Sequence, residues 1–253
     1  MSRFFVEKSQ IDPEGAVIIK GTDVNHMQNV LRMKPGDSFT ACDSTGMEYN
    51  CVLESFSENE ARGAIISCKK GDTEPRTPCT LLQGIPKGDK MELIIQKNIE
   101  LGVNRIIPVI MERTVVKFKD QKDIDKKTER WNRIAMEAAK QCGRLAVPEV
   151  ARPVSLKEAI DILEGEQCQN MLKLAPYENE RDIRLKDILR GRDSESTLQA
   201  IAFLIGPEGG ISEAEMELLN EAGFIPVSLG KRILRTETAG FAVMAAIRYE
   251  LED

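Results

Sequence analysis

Phe203-Leu204-Ile205-Gly206-Pro207-Glu208-Gly209-Gly210-Ile211-Ser212 is an apolar run that breaks into three glycines and then opens a helix. Ser212 and Glu215 have the spacing of a capping box, and Ile211 with Met216 that of a hydrophobic staple, so the helix start is well specified. A strand, a glycine loop and a helix in that order make one step of an α/β sheet. Glycines let a ligand come close to backbone N–H and C=O groups. An ordinary tight βα turn is the plainer reading of the same residues. The Walker pattern G-x-x-x-x-G-K-[ST] is absent; Gly84-Ile85-Pro86-Lys87-Gly88-Asp89-Lys90 is only superficially like it. G-P-E-G-G does not fit the dinucleotide fingerprint G-x-G-x-x-G either.

Working outward, Ser228-Leu229-Gly230-Lys231-Arg232-Ile233-Leu234-Arg235-Thr236-Glu237-Thr238-Ala239-Gly240 also joins a strand, Pro226–Leu229, to a helix, Glu237–Leu251. That helix is rich in small residues (Ala239, Gly240, Ala242, Ala245, Ala246), which allow close packing against another helix or a bound ring. Earlier strand and helix pairs are Thr80–Gly84 with Asp89–Leu101 and Arg105–Ile110 with Lys127–Cys142. Weaker pairs follow: Glu149–Arg152 with Leu156–Leu163, and Met171–Ala175 with Leu185–Leu189. Ala202–Ile205 with Glu213–Ala222 completes the series. The alternation predicts an α/β domain with a mostly parallel sheet over 79–253.

Residues 1–70 have a different rhythm. Ala16–Ile19, Ser38–Cys42, Tyr49–Leu53 and Gly63–Ser67 read as strands. Lys34–Asp37 and Asp43–Gly46 read as turns, and Thr22–Leu31 as a short helix with Thr22 at its N-cap. This is a small, barrel-like β domain. Residues 71–78, with two prolines and no periodicity, form the linker.

The helix Lys127–Cys142 carries an apolar stripe of Trp131, Ile134, Ala135, Ala138 and Cys142. Arg133, Glu137, Gln141 and Arg144 fall on another face, either as a solvated surface or as the lining of a substrate groove. In Asp89–Leu101, Met91, Ile94, Ile95 and Ile99 face the core.

The net charge of −6 sums opposed regions: residues 1–70 carry 8 basic and 10 acidic side chains, 84–145 carry 14 and 9, and 146–253 carry 12 and 20. The basic middle is either a solvated helix face or a local phosphate-binding surface. Six cysteines show no C-x-x-C pair and read as reduced, mostly buried thiols. One histidine, His26, leaves little room for metal or Ser-His chemistry and reads as structural. No apolar run reaches the roughly 18 residues of a membrane span. Charge arrives too early in Met1–Lys8 for a signal peptide, so the chain reads as cytoplasmic.

The pair G-P-E-G-G (206–210) and L-G-x-R-I-L-R-x-E-T-A (Leu229–Ala239) closely resembles the RsmE family, within the SPOUT superfamily of knotted methyltransferases. The resemblance spans the chain: Arg3-Phe4-Phe5, His26 with Val30-Leu31-Arg32, Gln96-Lys97 with Glu100-Leu101-Gly102, Glu112-Arg113-Thr114, and Glu137-Ala138-Ala139 with Gln141, Arg144 and Pro148. Ile211 departs from the aromatic residue usual in that family. The resemblance implies a PUA-like β-barrel that binds RNA over 1–70 and a trefoil-knotted α/β domain over 79–253. It implies a homodimer and methylation of N3 of a uridine in 16S ribosomal RNA, in the assembled small subunit, without a metal. Residue by residue, Ile205, Gly206, Glu208, Gly209 and Gly210 become one wall for S-adenosylmethionine. Leu229, Gly230, Ile233, Leu234, Thr236 and Ala239 become the other, with Leu172 and Leu174 added from the strand that begins at Met171. Arg235, Arg144 and Glu237 become candidates for the chemistry. Arg3, Arg32, Lys97, Arg113, Arg133, Gln141 and Arg144 become RNA contacts. The competing readings are ribose or guanine methylation with the same loops, and a non-catalytic ribosome-associated RNA-binding module.

Overall fold

The computed structural model describes residues 2–12, 14–43, 45–165, 168, 170–191 and 198–252. The chain divides into two compact units, Met1–Glu74 with Ala139–Val147, and Pro75–Ala138 with Pro148–Asp253.

The first unit is built on β1 (Ser2–Val6), β2 (Ile11–Asp12), β3 (Ala16–Lys20), helix α1 (Thr22–Asn25), β4 (Ser38–Asp43), β5 (Met47–Phe56) and β6 (Glu60–Lys70). The six strands run in the order β1-β4-β5-β6-β3-β2. Only β1 and β4 are parallel; the other pairs are antiparallel. Apolar side chains alternate inward, and Phe4 meets Phe39 edge to face at 5.8 Å in the core. β1 and β2 were not legible locally, since β1 pairs only with a strand 37 residues further on. The turn at Lys34–Asp37 forms around Gly36 at φ 99°, and that at Asp43–Gly46 around Gly46 at φ 85°; Ser44 lies outside the described residues.

The expected N-cap role of Thr22 does not hold. Gly21 takes that position at φ 69°, which glycine tolerates, and Thr22 is the first helical residue. After Asn25 the chain passes into a π-turn, His26–Val30, and ends on Arg32 at φ 52°. His26 packs edge to face on Phe4, in keeping with a structural histidine.

The 139–147 segment is held to this unit by buried and half-buried charges. Lys140 Nζ lies 2.6 Å from Asp23 and 5.3 Å above the Phe4 ring. Arg3 donates to Glu48 at 2.6 Å, to Cys42 Sγ at 2.9 Å and to the Arg144 carbonyl at 3.2 Å. Burial pushes the Cys42, Cys51 and Cys79 thiols up to about 11, which makes them inert packing groups.

The second unit contains β7 (Cys79–Gly84), α2 (Lys90–Glu100), β8 (Arg105–Ile110), α3 (Gln121–Cys142), β9 (Glu149–Val150), β10 (Val154–Ser155) and α4 (Leu156–Gly165). It continues with β11 (Met171–Pro176), α5 (Leu185–Arg190), β12 (Ala200–Ile205), α6 (Glu213–Glu221), β13 (Ile225–Val227) and α7 (Thr236–Leu251). The sheet is parallel throughout, in the order β10-β8-β7-β12-β11-β13 with β9 beside β8. Its central strands are apolar on both faces, as a sheet covered by helices requires. Helix α3 starts six residues earlier than the apolar stripe suggested, because Asp120 accepts the Asp123 amide at 2.9 Å and caps a wholly polar first turn.

Candidate active site

The α6 start is built as its sequence specifies: Ser212 Oγ accepts the Glu215 amide at 3.3 Å while the Glu215 carboxylate accepts the Ser212 amide at 3.0 Å. This fixes the loop 206–211 at the carboxyl end of β12. Gly210 sits at φ 74°, and a Cβ there would lie 3.1 Å from the Glu178 carboxylate. A Cβ on Gly206 would come within 3.0 Å of the Gly210 carbonyl carbon. The glycines are therefore required by space and by backbone conformation together.

Facing this loop is the segment 228–235, which ends on α7. Thr236 Oγ1 donates to the Gly206 carbonyl at 2.7 Å, so the two loops are joined. They enclose a cleft of about 930 Å³ at the carboxyl edge of the sheet, where ligands of open α/β sheets bind. Ile205, Gly206, Glu208, Gly210, Leu229, Gly230, Ile233, Leu234, Thr236 and Ala239, positions that the family resemblance assigns to the cofactor walls, all line it. Leu172 and Leu174 do not; both are core residues of β11, 3% and 0% exposed. The end of that strand, Pro176 with Tyr177, reaches the cleft instead, which the rule that sites lie beyond strand carboxyl ends would have found. Gly209 also lies off the cleft wall, against Arg113, whose guanidinium donates to its carbonyl at 2.8 Å.

The Glu208 carboxylate leaves the glycine loop to accept the Lys87 amide, shared between its two oxygens at 3.1 and 3.2 Å, and Lys90 Nζ at 2.7 Å. Burial works to raise its pKa, but Lys90 and the amides outweigh that and hold the carboxyl below its ordinary value. Glu208 in turn lifts the Lys90 ammonium above the usual lysine value. Glu237 Oε2 stands 3.7 Å from the same ammonium with no hydrogen bond of its own. The Lys90 contribution was not read from the sequence, since it lies 118 residues from Glu208.

Arg235 is exposed at the cleft mouth, at the N-cap of α7. Arg144 departs from the expected helical face. Helix α3 stops at Cys142, Gly143 turns at φ 80°, and the Arg144 side chain, 5% exposed, grips Glu74 through Nε at 2.9 Å and Nη2 at 2.7 Å. Arg3 is likewise occupied within the first unit. Arg32 is exposed, and no other described non-glycine residue has a positive φ. Arg133 and Gln141 are exposed on α3, Arg133 within 3.4 Å of Glu129; Lys97 pairs with Glu100 on α2. Among the described residues no group of three or more His, Cys, Asp or Glu is placed to hold a metal ion, and no helix is long and apolar enough to cross a membrane.

Comparison with known proteins agrees with this layout. Residues 73–248 match the family model of an RNA methyltransferase domain, and residues 19–66 that of an RNA methyltransferase PUA domain. A ribosomal RNA small subunit methyltransferase E from Bacillus subtilis is 37% identical, covering 100% of this chain and 98% of the relative. The crystal structure of a ribosomal RNA small subunit methyltransferase E from Neisseria gonorrhoeae, bound to S-adenosyl methionine, is 35% identical with a TM-score of 0.83, covering 98% of this chain and 97% of the other. A putative methyltransferase from Legionella pneumophila with the same bound cofactor is 31% identical with a TM-score of 0.82, covering 98% and 96%.

Proposed function

The chain belongs to the RNA methyltransferase family, and from that premise we propose that it methylates N3 of a uridine in 16S ribosomal RNA of the small ribosomal subunit, using S-adenosylmethionine. The observation that carries this reading is the cleft between the loops 206–210 and 228–235, clamped by Thr236 on Gly206.

The cleft fits the cofactor by its own chemistry. Bare backbone at Gly206, Gly210 and Gly230 offers polar groups, and Ile205, Leu229, Leu234 and Ala239 offer apolar surface for flat rings. Gly209 serves by holding the loop against Arg113. Leu172 and Leu174 support the strand beneath. S-adenosylmethionine, when bound, supplies a methyl group already activated by a positive sulfur, so no metal is needed.

The protein must then hold the uracil with N3 in line and favour loss of its proton. Arg235, at the mouth and without a carboxylate partner among the described residues, is suited to lie beside the uracil oxygens and stabilise the anion. Glu237, through Lys90, keeps charge at that turn in balance. Arg144 is committed to Glu74 and serves the fold of the first unit, away from the cleft lining. Arg32, Lys97, Arg113, Arg133 and Gln141 offer surface contacts to RNA, while Arg3 is engaged by Glu48 within the barrel-like unit.

The same reading includes a trefoil-knotted second unit and a homodimer in the cytoplasm, acting on assembled subunits. Leu93 on α2 and Tyr249 on α7, 42% and 72% exposed, support a partner surface along these two packed helices. Light scattering should give about twice 28.3 kDa; a monomer at micromolar concentration refutes the dimer. The function itself is tested by mass spectrometry of 16S ribosomal RNA and of small subunits treated with the protein and labelled cofactor. A labelled 3-methyluridine is expected. Label on ribose or guanine, or no label despite cofactor binding, overturns the reading.

A further inference from the structure

Eight arginines fall in the acidic stretch 146–253, and seven of them are among the described residues. Arg152, Arg184, Arg190 and Arg248 each pair with a carboxylate, at 2.5, 2.7, 2.7 and 2.7 Å. The three that have no such partner, Arg181, Arg232 and Arg235, all line the one cleft, and Lys231 joins them there. Unpaired cations gathered at one mouth of an otherwise acidic unit repel each other, so they call for an anion that comes and goes.

Backbone hydrogen bonds hold the segments that carry them together. Tyr177 N–H donates to the Val227 carbonyl at 3.1 Å, Ser228 N–H to the Ile183 carbonyl at 2.7 Å, and Leu185 N–H to the Ser228 carbonyl at 3.2 Å. The turn bearing Arg181 is tied down by Glu180, whose carboxylate accepts the amides of Asp182 at 2.7 Å and Ile183 at 3.0 Å. Glu208 is engaged by Lys90, and Glu178 lies against Gly210. Glu180 and Glu208 are thus engaged by amides and by Lys90, Glu178 stays in the cleft wall beside Gly210, and no ion pair among the described residues takes up the three cations.

The geometry points to a phosphate-binding subsite formed by Arg181, Lys231 and Arg232, which takes the RNA backbone phosphates flanking the target nucleotide while Arg235 meets its base. This rests on the function proposed above and adds where the polyanion is gripped. The grip lies on the acidic stretch 146–253, not only on the basic middle of the chain. Arginine presents a planar fork that suits phosphate oxygens, and two segments bridged by backbone hydrogen bonds present it already ordered.

Arg181→Ala, Arg232→Ala and the double variant test this, with 16S ribosomal RNA in filter binding across a salt series and S-adenosylmethionine in calorimetry. Each single change should weaken RNA binding roughly tenfold and lower the slope of log affinity against log salt by about 0.7, the value for one phosphate contact on single-stranded RNA. The double variant should lose about twice that slope. Cofactor affinity and Tm should stay at the wild-type values, and Arg232→Lys should restore the slope. An unchanged slope overturns the subsite. A fall in cofactor affinity with unchanged RNA slope also overturns it, and assigns the cations to the cofactor carboxylate. Failure of the functional reading looks different: the wild-type chain would transfer no methyl group to this RNA.

Discussion

Thr236 Oγ1 donates to the Gly206 carbonyl at 2.7 Å, and Gln83 Nε2 donates to that same hydroxyl at 3.0 Å. Gln83 is fully buried at the end of β7, so one side-chain relay joins the ends of two neighbouring strands to the first turn of α7. Both loops of the cleft are thereby fixed by a single hydroxyl. Thr236→Val keeps the shape and removes the relay. It leaves the Gly206 carbonyl and the Gln83 amide short of a partner, at a cost of about 1–3 kcal/mol. Cofactor affinity should fall roughly tenfold, read by calorimetry on the folded variant, whereas Thr236→Ser should retain it. If valine bound the cofactor as tightly as threonine, the relay would have no part in the pocket.

The glycine loop makes a second prediction. Gly210 holds φ 74°, in the left-handed region, and its Cβ would meet the Glu178 carboxylate at 3.1 Å. Gly210→Ala should destabilise the protein by about 1–3 kcal/mol, the range for a non-glycine residue forced into such a conformation. Binding of the cofactor should be lost along with it. Gly209 is different: its φ is not positive, but a Cβ there would lie 2.8 Å from the Arg113 Cβ. Gly209→Val should therefore disturb the pocket by pushing Arg113 off the loop. Pairing it with Arg113→Gly, which removes the Cβ that the new side chain would meet at 2.8 Å, should recover part of the cofactor affinity, which a backbone-strain origin would not allow.

The Arg144–Glu74 pair sets an acid limb of stability. Burial works to raise the Glu74 carboxyl, but Arg144 and the amides of Leu145 and Ala146 outweigh it, and the net pKa is lowered from its ordinary 4.5. A carboxyl lowered in the folded state stabilises the fold above its unfolded value and loses that contribution as pH falls through the folded one. Denaturation midpoints should thus drop as pH falls below about 4.5, and Glu74→Gln should flatten that limb. Arg144→Ala should cost about 3 kcal/mol by leaving a half-buried carboxylate unpaired. Its single-turnover methyl transfer, measured well below the new Tm, should stay near the wild-type rate. A large rate loss in the intact fold would return Arg144 to the chemistry.

What could be read from the sequence follows the reach of each interaction. The β12–loop–α6 step was legible because apolar run, glycines, capping box and staple agree within fourteen residues. The same holds for the loop before α7. Arg144 was misread by carrying the 3.6-residue period past Gly143, where a positive φ turns the chain inward. Leu172 and Leu174 lie on the right strand but on its buried body, and the site begins only at Pro176. The Lys90–Glu208 latch and the Gln83–Thr236 relay join residues more than a hundred positions apart, so no local pattern announces them.

The last prediction separates binding from chemistry. Arg32 is exposed at the end of the π-turn and sits at φ 52°, a conformation that a side chain other than glycine holds at a cost of about 1–3 kcal/mol. If that strain serves to aim the guanidinium at RNA, Arg32→Gly should raise stability by about 1 kcal/mol while weakening RNA affinity. The salt slope should fall by about one unit and cofactor affinity should not move. Arg235→Ala should do the reverse. It lies at the cleft mouth beside the loop that carries Glu208, and no carboxylate in the described protein occupies it. RNA and cofactor should still bind, while the single-turnover rate at saturation falls by about two to three orders of magnitude, the usual loss for one group that stabilises developing charge. Raising the pH should recover part of that loss, because deprotonation of N3 then depends less on a neighbouring cation, whereas a binding defect would not respond in that way. Full single-turnover activity in Arg235→Ala would remove it from the chemistry and leave Lys90, another cation of the cleft lining, as the group to replace.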